Sequence, residues 1–346
     1  MQINEFDYHL PTKLIAQYPA EQRDQSRLLI VNRKTNKITH SMFKDISNMF
    51  EPGDALVLND TKVKPVRLIG KIQEKEIDIL LVERLEKNKY LVFAKPGKKL
   101  KDKINISFAD GQYTAIVEDI EPAREKGMKC IKFQLEFDIE AVLEEFGMMP
   151  LPPYIKRCVM NADSARYQTV YAKNSGAIAS PTAGLHFTQG ILDQLHKKKI
   201  NTIYVTLHVG LGTFLPVKVD DIEQHQMHKE AYDLTNSAAQ EIEAVKKAKH
   251  RICAVGTTAC RVLESCANID NGFSIAAAKG STEIFIYPPY KFKAVDMLLT
   301  NFHLPKTTLL MLISAFAGKD LIMEAYRQAV EQEYRFFSYG DAMLII

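Results

Sequence analysis

Three short segments of this chain each set a histidine in a turn marked by Gly or Pro: SPTAGLHFT (180–188), TLHVGLGTF (206–214) and LLTNFHLPKTT (298–308). A fourth, HQMHKE (225–230), holds two more, so five of the nine histidines fall in these segments. Imidazole, with an unperturbed pKa of about 6.5, gives or takes protons near neutrality. Several imidazoles converging on one cleft would suit proton transfer to an organic substrate.

Each segment has a functional and a plainer reading. Thr188 is placed to cap a helix over 189–199, whose Ile191, Leu192 and Leu195 share a face. His186 then precedes a helix N-terminus, where free N–H groups favour an anion and disfavour imidazolium. A neutral, proton-accepting His186 follows; a hydrogen-bonded loop histidine is the alternative. Gly210 and Gly212 let backbone approach a ligand closely. Leu215 stands where a G-x-G-x-x-G needs its third glycine, so a tight turn is the commoner reason for the pair. His225 and His228 lie near Glu230, but no H-E-x-x-H and no close cysteine accompany them, and Lys229 repels a cation. They read as a polar cleft wall and not as a metal site. Val255-Gly256-Thr257-Thr258 ends a strand and opens a helix, which suits a carboxylate or phosphate as well as simple capping. Arg261 falls on the face that would meet such an anion.

The elements that must position these residues follow from periodicity and turn residues. Strands are expected at 27–31 and 54–58, with an apolar-periodic stretch at 42–49. From about Pro65 to Glu136 short period-2 segments alternate with turns such as Lys95-Pro96-Gly97, which reads as a small all-β barrel inserted at 66–137. Pro150-Leu151-Pro152-Pro153 marks the return to the main domain. Beyond it strands (203–209, 251–256, 283–287, 295–300, 342–346) alternate with helices (237–249, capped by Ser237; 258–266; 307–316, ended by Gly318; 320–332). The alternation argues an α/β (α+β) large domain, discontinuous over 1–65 and 138–346, around the inserted barrel.

Composition narrows the class. At 346 residues with 46% hydrophobic and 25% charged residues, the chain is an ordinary globular protein of about two domains. No apolar run reaches the ~18 residues of a membrane span. The start, MQINEFDYHLP, lacks a basic-then-apolar secretory pattern, so a cytoplasmic home is expected. Five cysteines without a CxxC fit reduced thiols. A net charge of +3 permits a nucleic-acid partner without demanding one. Of three basic stretches, the lysines at 95–103 lie on a hairpin of the insert that could grip an RNA backbone.

Together these blocks resemble one family. FDYHLPTKLIAQYPAEQRDQSRLL (6–29), PGDALVLNDTKVKPVRL (52–68), LPPYIKR (151–157), RYQTVYA (166–172), AVGTTACRVLES (254–265) and YRFFSYGDAMLI (334–345), with the four histidine segments, are similar to the S-adenosylmethionine:tRNA ribosyltransferase-isomerases of queuosine biosynthesis. The likeness runs nearly end to end. Departures sit at motif edges: Ser180 stands where the family usually has alanine, Lys62 where arginine is usual, Glu74-Lys75-Glu76 replaces a Gly-Gly turn, and Tyr287-Pro288-Pro289 lacks the usual Pro-Gly. Lys62 weakens any need for a bidentate guanidinium there.

The resemblance implies a ribosyl transfer from S-adenosylmethionine to 7-aminomethyl-7-deazaguanine in a tRNA anticodon, with adenine and methionine released and epoxyqueuosine formed. The implied partners are that tRNA (the Tyr, His, Asn and Asp tRNAs) and S-adenosylmethionine as co-substrate. No metal, permanently bound cofactor or membrane is implied, and the chain is expected as a monomer or weak homodimer. The chemistry asks for proton shuttles. His186 and His208 are the candidates, with Asp60 or Glu230 setting their charge. Thr257, Thr258 and Arg261 would hold the methionine carboxylate. Gly210, Gly212, Thr213 and Phe214 would pack near the adenosine, and Asn301, His303, Tyr339 and Asp341 would complete the cleft. Arg67, Thr182, Gly184 and His228 are further substrate-binding candidates, and Tyr167, Tyr171, Phe336 and Phe337 could stack an anticodon base. A metal-dependent hydrolase or a non-catalytic tRNA-binding protein is the alternative; each leaves the block-by-block likeness unexplained.

Overall fold

Side chains of a strand alternate between the two faces of its sheet, and in the central strands of this protein both faces are apolar. The computed structural model describes residues 1–210, 212 and 219–346. Thr213 and Phe214 therefore lie outside the described residues. Nine strands form the main sheet: β1 (Arg27–Asn32), β2 (Lys37–Met42), β3 (Ala55–Asn59), β4 (Asn201–Leu207), β5 (Glu230–Leu234), β6 (Ile252–Val255), β7 (Ala278–Thr282), β8 (Met297–Asn301) and β9 (Ala342–Ile345). Their order is β7-β5-β4-β3-β6-β8-β9-β1-β2. The central run β4-β3-β6-β8 is parallel throughout, while β5 and β7 pair antiparallel on one side.

In β3, Ala55 and Val57 enter the core on one face, and Leu56 and Leu58 on the other. Helix α1 (Gln189–Lys197) and a 3-10 turn at Phe43–Met49 cover the Leu56 face with Ile191, Leu195, Phe43 and Ile46. Helices α2 (Asn236–Lys247), α3 (Gly256–Cys266), α4 (Thr308–Ala317) and α5 (Lys319–Glu331) cover the other. This is the expected α/β layering.

Caps explain where the helices begin. Thr188 Oγ1 accepts the Ile191 amide at 3.2 Å, as anticipated. For α2 the cap is Thr235, which accepts from the Ala238 amide at 3.3 Å, and not Ser237; the helix starts two residues earlier than expected. Gly318, at φ 88°, ends α4. One strand is displaced: residues 283–287 form none, and β7 lies just before them. Ile284, Phe285, Ile286 and Tyr287 form an apolar run because they pack on the helical side of the core, not because they pair.

The chain divides into two compact units: Met1–Lys62 with Pro153–Arg157 and Arg166–Ile346, and Val63–Pro152 with Cys158–Ala165. The second unit contains a closed barrel of six antiparallel strands in the order 129–133, 89–95, 75–86, 67–72, 105–108, 113–118. Ile77, Ile79 and Leu81 alternate inward. Gly70 is required there, since a Cβ would meet Ile106 Cγ2 at 2.6 Å and Phe108 Cε1 at 2.9 Å. Among the described residues no helix is long and apolar enough to cross a membrane.

Candidate active site

In an open parallel sheet, ligands gather at the carboxyl ends of the strands. The matched motifs end up there: Asn59-Asp60 after β3, His208-Val209-Gly210 after β4, Gly256-Thr257-Thr258 after β6 and Phe302-His303 after β8. A cavity of about 470 Å³ opens at the ends of β4, β6 and β8, with walls from Ser180, Thr182, Val209, Thr257, Thr258, Asn301, Phe302, His303 and Phe337, while Asp60, His208 and Gly210 do not line it. That volume suits a small organic ligand. Tyr154 adds an aromatic wall, its ring 4.4 Å from that of Phe337 and its hydroxyl bonded to Ser338 Oγ at 2.5 Å.

Of the residues singled out from sequence, Thr182, Thr257, Thr258, Asn301, His303 and Phe337 line this cavity. His186 stands behind the wall. Its Nε2 lies 3.1 Å from Asn301 Nδ2, and its Nδ1 lies 2.7 Å from Ser26 Oγ. Asn301 Nδ2 also faces the carbonyls of Phe337 (3.3 Å) and Asp341 (3.5 Å), and Asn301 Oδ1 accepts from Thr182 Oγ1 at 3.0 Å. Carbonyls only accept, so Nδ2 is the amide's donor side and His186 Nε2 is an acceptor. The proton therefore sits on Nδ1. Burial, then the charges of Arg23 and Arg335, push the His186 pKa down to about 3. The expected neutral, accepting imidazole is present, but its proton affinity lies far below neutrality. Neither of its polar neighbours is a carboxylate. His303 is also pushed down to about 3 by burial; its Nε2 meets Thr300 Oγ1 at 2.8 Å, and its backbone is held by the Tyr8 and Tyr326 hydroxyls.

The two carboxylates expected to tune the histidines have other commitments. Glu230 is buried, ion-pairs with Arg261 and accepts the Gly210 amide at 2.9 Å. Arg261 Nη2 also reaches the Thr282 carbonyl at 3.5 Å. Asp60 accepts from Thr206 Oγ1 at 2.6 Å and from Asn174 Nδ2 at 3.0 and 3.1 Å. His208 Nδ1 meets Thr61 Oγ1 at 2.8 Å, and Gly176 packs against its ring. Gly212 packs equally closely on His228, which is exposed. Gly184 is held against Tyr171, whose hydroxyl would lie 2.1 Å from an added Cβ.

The remaining candidates do not line the cavity. Arg67 is in the barrel unit, where its guanidinium grips Asp78 at 2.8 and 2.7 Å. Asp341 is buried, accepting the Arg27 amide at 2.9 Å and the Arg335 amide at 2.8 Å. Tyr339 lines a small niche with His186, Arg23 and Arg166. Tyr167 and Phe336 are fully buried in packing, so neither offers a face to a base. Sequence reasoning missed Ser180 as a wall residue, visible only as a departure from the family, and Tyr154, which lies inside a quoted block. Among the described residues no three His, Cys, Asp or Glu side chains gather as a metal-binding group.

A sequence profile described as "Queuosine biosynthesis protein" matches residues 3–345. The chain belongs to that family. It is 50% identical, over the full length of both chains, to an S-adenosylmethionine:tRNA ribosyltransferase-isomerase of Thermoanaerobacter sp. (strain X514). It is 49% identical, again over both full lengths, to the protein of the same name from Halothermothrix orenii. Among solved structures, the S-adenosylmethionine tRNA ribosyltransferase of Thermotoga maritima is 38% identical, with 99% of this chain and 100% of that one covered and a TM-score of 0.56.

Proposed function

We propose that this chain transfers and isomerises the ribosyl moiety of S-adenosylmethionine onto 7-aminomethyl-7-deazaguanine in a tRNA anticodon, giving epoxyqueuosine and releasing adenine and methionine. The observation that carries the reading is the convergence of the family's matched blocks on one cavity of about 470 Å³ at the carboxyl ends of parallel strands. S-Adenosylmethionine, as co-substrate, occupies that cavity. The chemistry removes one C5′ hydrogen, acidified by the sulfonium, and supplies a proton to the departing adenine. The electron pair left at C5′ bonds to C1′ and closes the carbocycle; the neutral aminomethyl nitrogen bonds to C1′ as adenine departs with the glycosidic pair, and the ring oxygen, freed from C1′ with its bonding pair, closes on C5′ as methionine leaves with the C–S bonding pair.

The protein's part is orientation and proton transfer. The Thr182–Asn301–His186 chain fixes the amide of Asn301 at the wall, with His186 as a positioning residue behind it. His208, half-buried and held by Thr61, is the base candidate. Arg261 acts through Glu230 to hold the Gly210 amide. The discontinuous domain 1–65 and 138–346 carries the reaction, and the insert 66–137 presents exposed Lys95, Lys98, Lys101 and Lys103 to RNA phosphates. The substrates are the Tyr, His, Asn and Asp tRNAs, and the enzyme works in the cytoplasm as a monomer or weak homodimer.

Incubation with S-adenosylmethionine and tRNA carrying the 7-aminomethyl base tests this. Released adenine, released methionine and a matching mass gain in the anticodon nucleoside are expected. No adenine from folded protein and competent tRNA would overturn the reading.

A further inference from the structure

Two hydroxyl oxygens in the cavity wall, Ser180 Oγ and Thr258 Oγ1, are shut off from solvent and have no hydrogen-bond partner among the described residues. Ser180 is 5% exposed and Thr258 9%. A buried hydroxyl without a partner is destabilising, and a ligand acceptor would remove that cost. Thr258 stands in the first turn of α3, and Gly256, at φ 89°, lets β6 turn directly into that helix. No side chain caps α3, whose 11 residues give it a full terminal dipole. Its first amides and the two hydroxyls thus offer donors and partial positive charge to one region of the wall. The guanidinium on the same helix does not serve there, because Arg261 is ion-paired with Glu230.

We propose that Ser180, Thr258 and the amino-terminal turn of α3 form a carboxylate subsite that receives the amino-acid end of the sulfonium co-substrate. This rests on the reading that the cavity takes S-adenosylmethionine. Neutral donors, not a fixed cation, hold the carboxylate. The arrangement keeps net positive charge away from the sulfonium, which must stay acidic at C5′ without being repelled. Ser180 adds a second hydroxyl donor to that of Thr258. A phosphate shares the anion chemistry, but a cavity of about 470 Å³ enclosed by Val209, Phe302 and Phe337 fits a small molecule.

The test is calorimetric titration of the full-length protein with S-adenosylmethionine and with its decarboxylated analogue, with and without substrate tRNA. The wild type should prefer the carboxylated compound about tenfold or more. Ser180→Ala combined with Thr258→Val should shrink that preference several-fold, while Thr258→Ser keeps it. Inorganic phosphate should compete with S-adenosylmethionine weakly and with the analogue not at all. An unchanged preference in the double variant at wild-type melting temperature overturns the subsite, as does a wild type that binds both compounds equally; in both cases the cavity assignment stands. A wild type that binds neither compound removes the cavity assignment and the subsite together. If Thr258→Val does not fold, the preference measured in Ser180→Ala alone decides.

Discussion

Asn301 Nδ2 donates to His186 Nε2 across 3.1 Å, and that bond joins a residue of the cavity wall to an imidazole buried behind it. The same amide receives the Thr182 hydroxyl on its oxygen, so both of its ends are fixed. Asn301→Ala would leave the His186 acceptor buried without a donor. A loss of about 1–3 kcal/mol in urea unfolding is expected, together with a fall in kcat at little-changed KM for S-adenosylmethionine. Unaltered stability and turnover would remove the link from the mechanism.

The depressed pKa values of His186 and His303 have a consequence for acid stability. Both histidines are neutral in the folded protein down to about pH 3, whereas in the unfolded chain they take up protons near pH 6.5. Below about 6.5 the unfolded state binds more protons, so stability falls as pH falls. The contribution is complete above the unfolded value and shrinks by up to about 1.4 kcal/mol per pH unit for each histidine. Chemical unfolding measured from pH 7 to about 4.5, above the carboxylate range, should show that slope, and His303→Gln should remove about half of it. A flat profile would mean that the two rings are solvated. For the same reason, replacing His186 should leave the shape of the kcat–pH profile unchanged near neutrality.

How much of this was legible from residues alone depends on the range of the interaction. The Thr188 cap and the Gly318 stop are local, and their chemistry shows in a few consecutive residues. The runs Leu56-Val57-Leu58 and Ile252-Cys253-Ala254-Val255 read as buried strands because both faces of the sheet are covered. β7 (Ala278–Thr282) did not, because Lys279, Gly280 and Ser281 have no apolar signature and are held by pairing with β5 (Glu230–Leu234). In the site, His186 stood out, but its partners did not: Asn301 lies 115 residues away and Ser26 lies 160 away. The commitment of Arg261 to Glu230 was hidden in the same way, since helical spacing shows a face and not what meets it.

Gly176 offers a direct handle on His208. A Cβ there would lie 2.7 Å from His208 Cε1 and Nδ1. Gly176→Ala therefore pushes the ring off Thr61, while its exposed position predicts a stability change within about 0.5 kcal/mol. Turnover should fall about tenfold or more at an unchanged melting temperature, and His208→Gln should fall by about a hundredfold, the usual lower range for a positioned acid–base group. If both His208→Gln and His186→Gln turn over near-normally with intact folding, neither imidazole shuttles protons.

Arg261 and Glu230 are both buried, and each neutralises the other. Removing one partner leaves an uncompensated buried charge, which typically costs about 3–5 kcal/mol. Arg261→Met should lose that much in urea unfolding and should loosen the Gly210 amide that Glu230 holds, raising KM for S-adenosylmethionine through the turn and not through a lost contact with the carboxylate. The paired change Glu230→Leu with Arg261→Met removes both charges and should recover most of the stability. It should not recover KM, because the Gly210 amide still lacks its acceptor. Recovery of both together would show that the ion pair serves the fold alone.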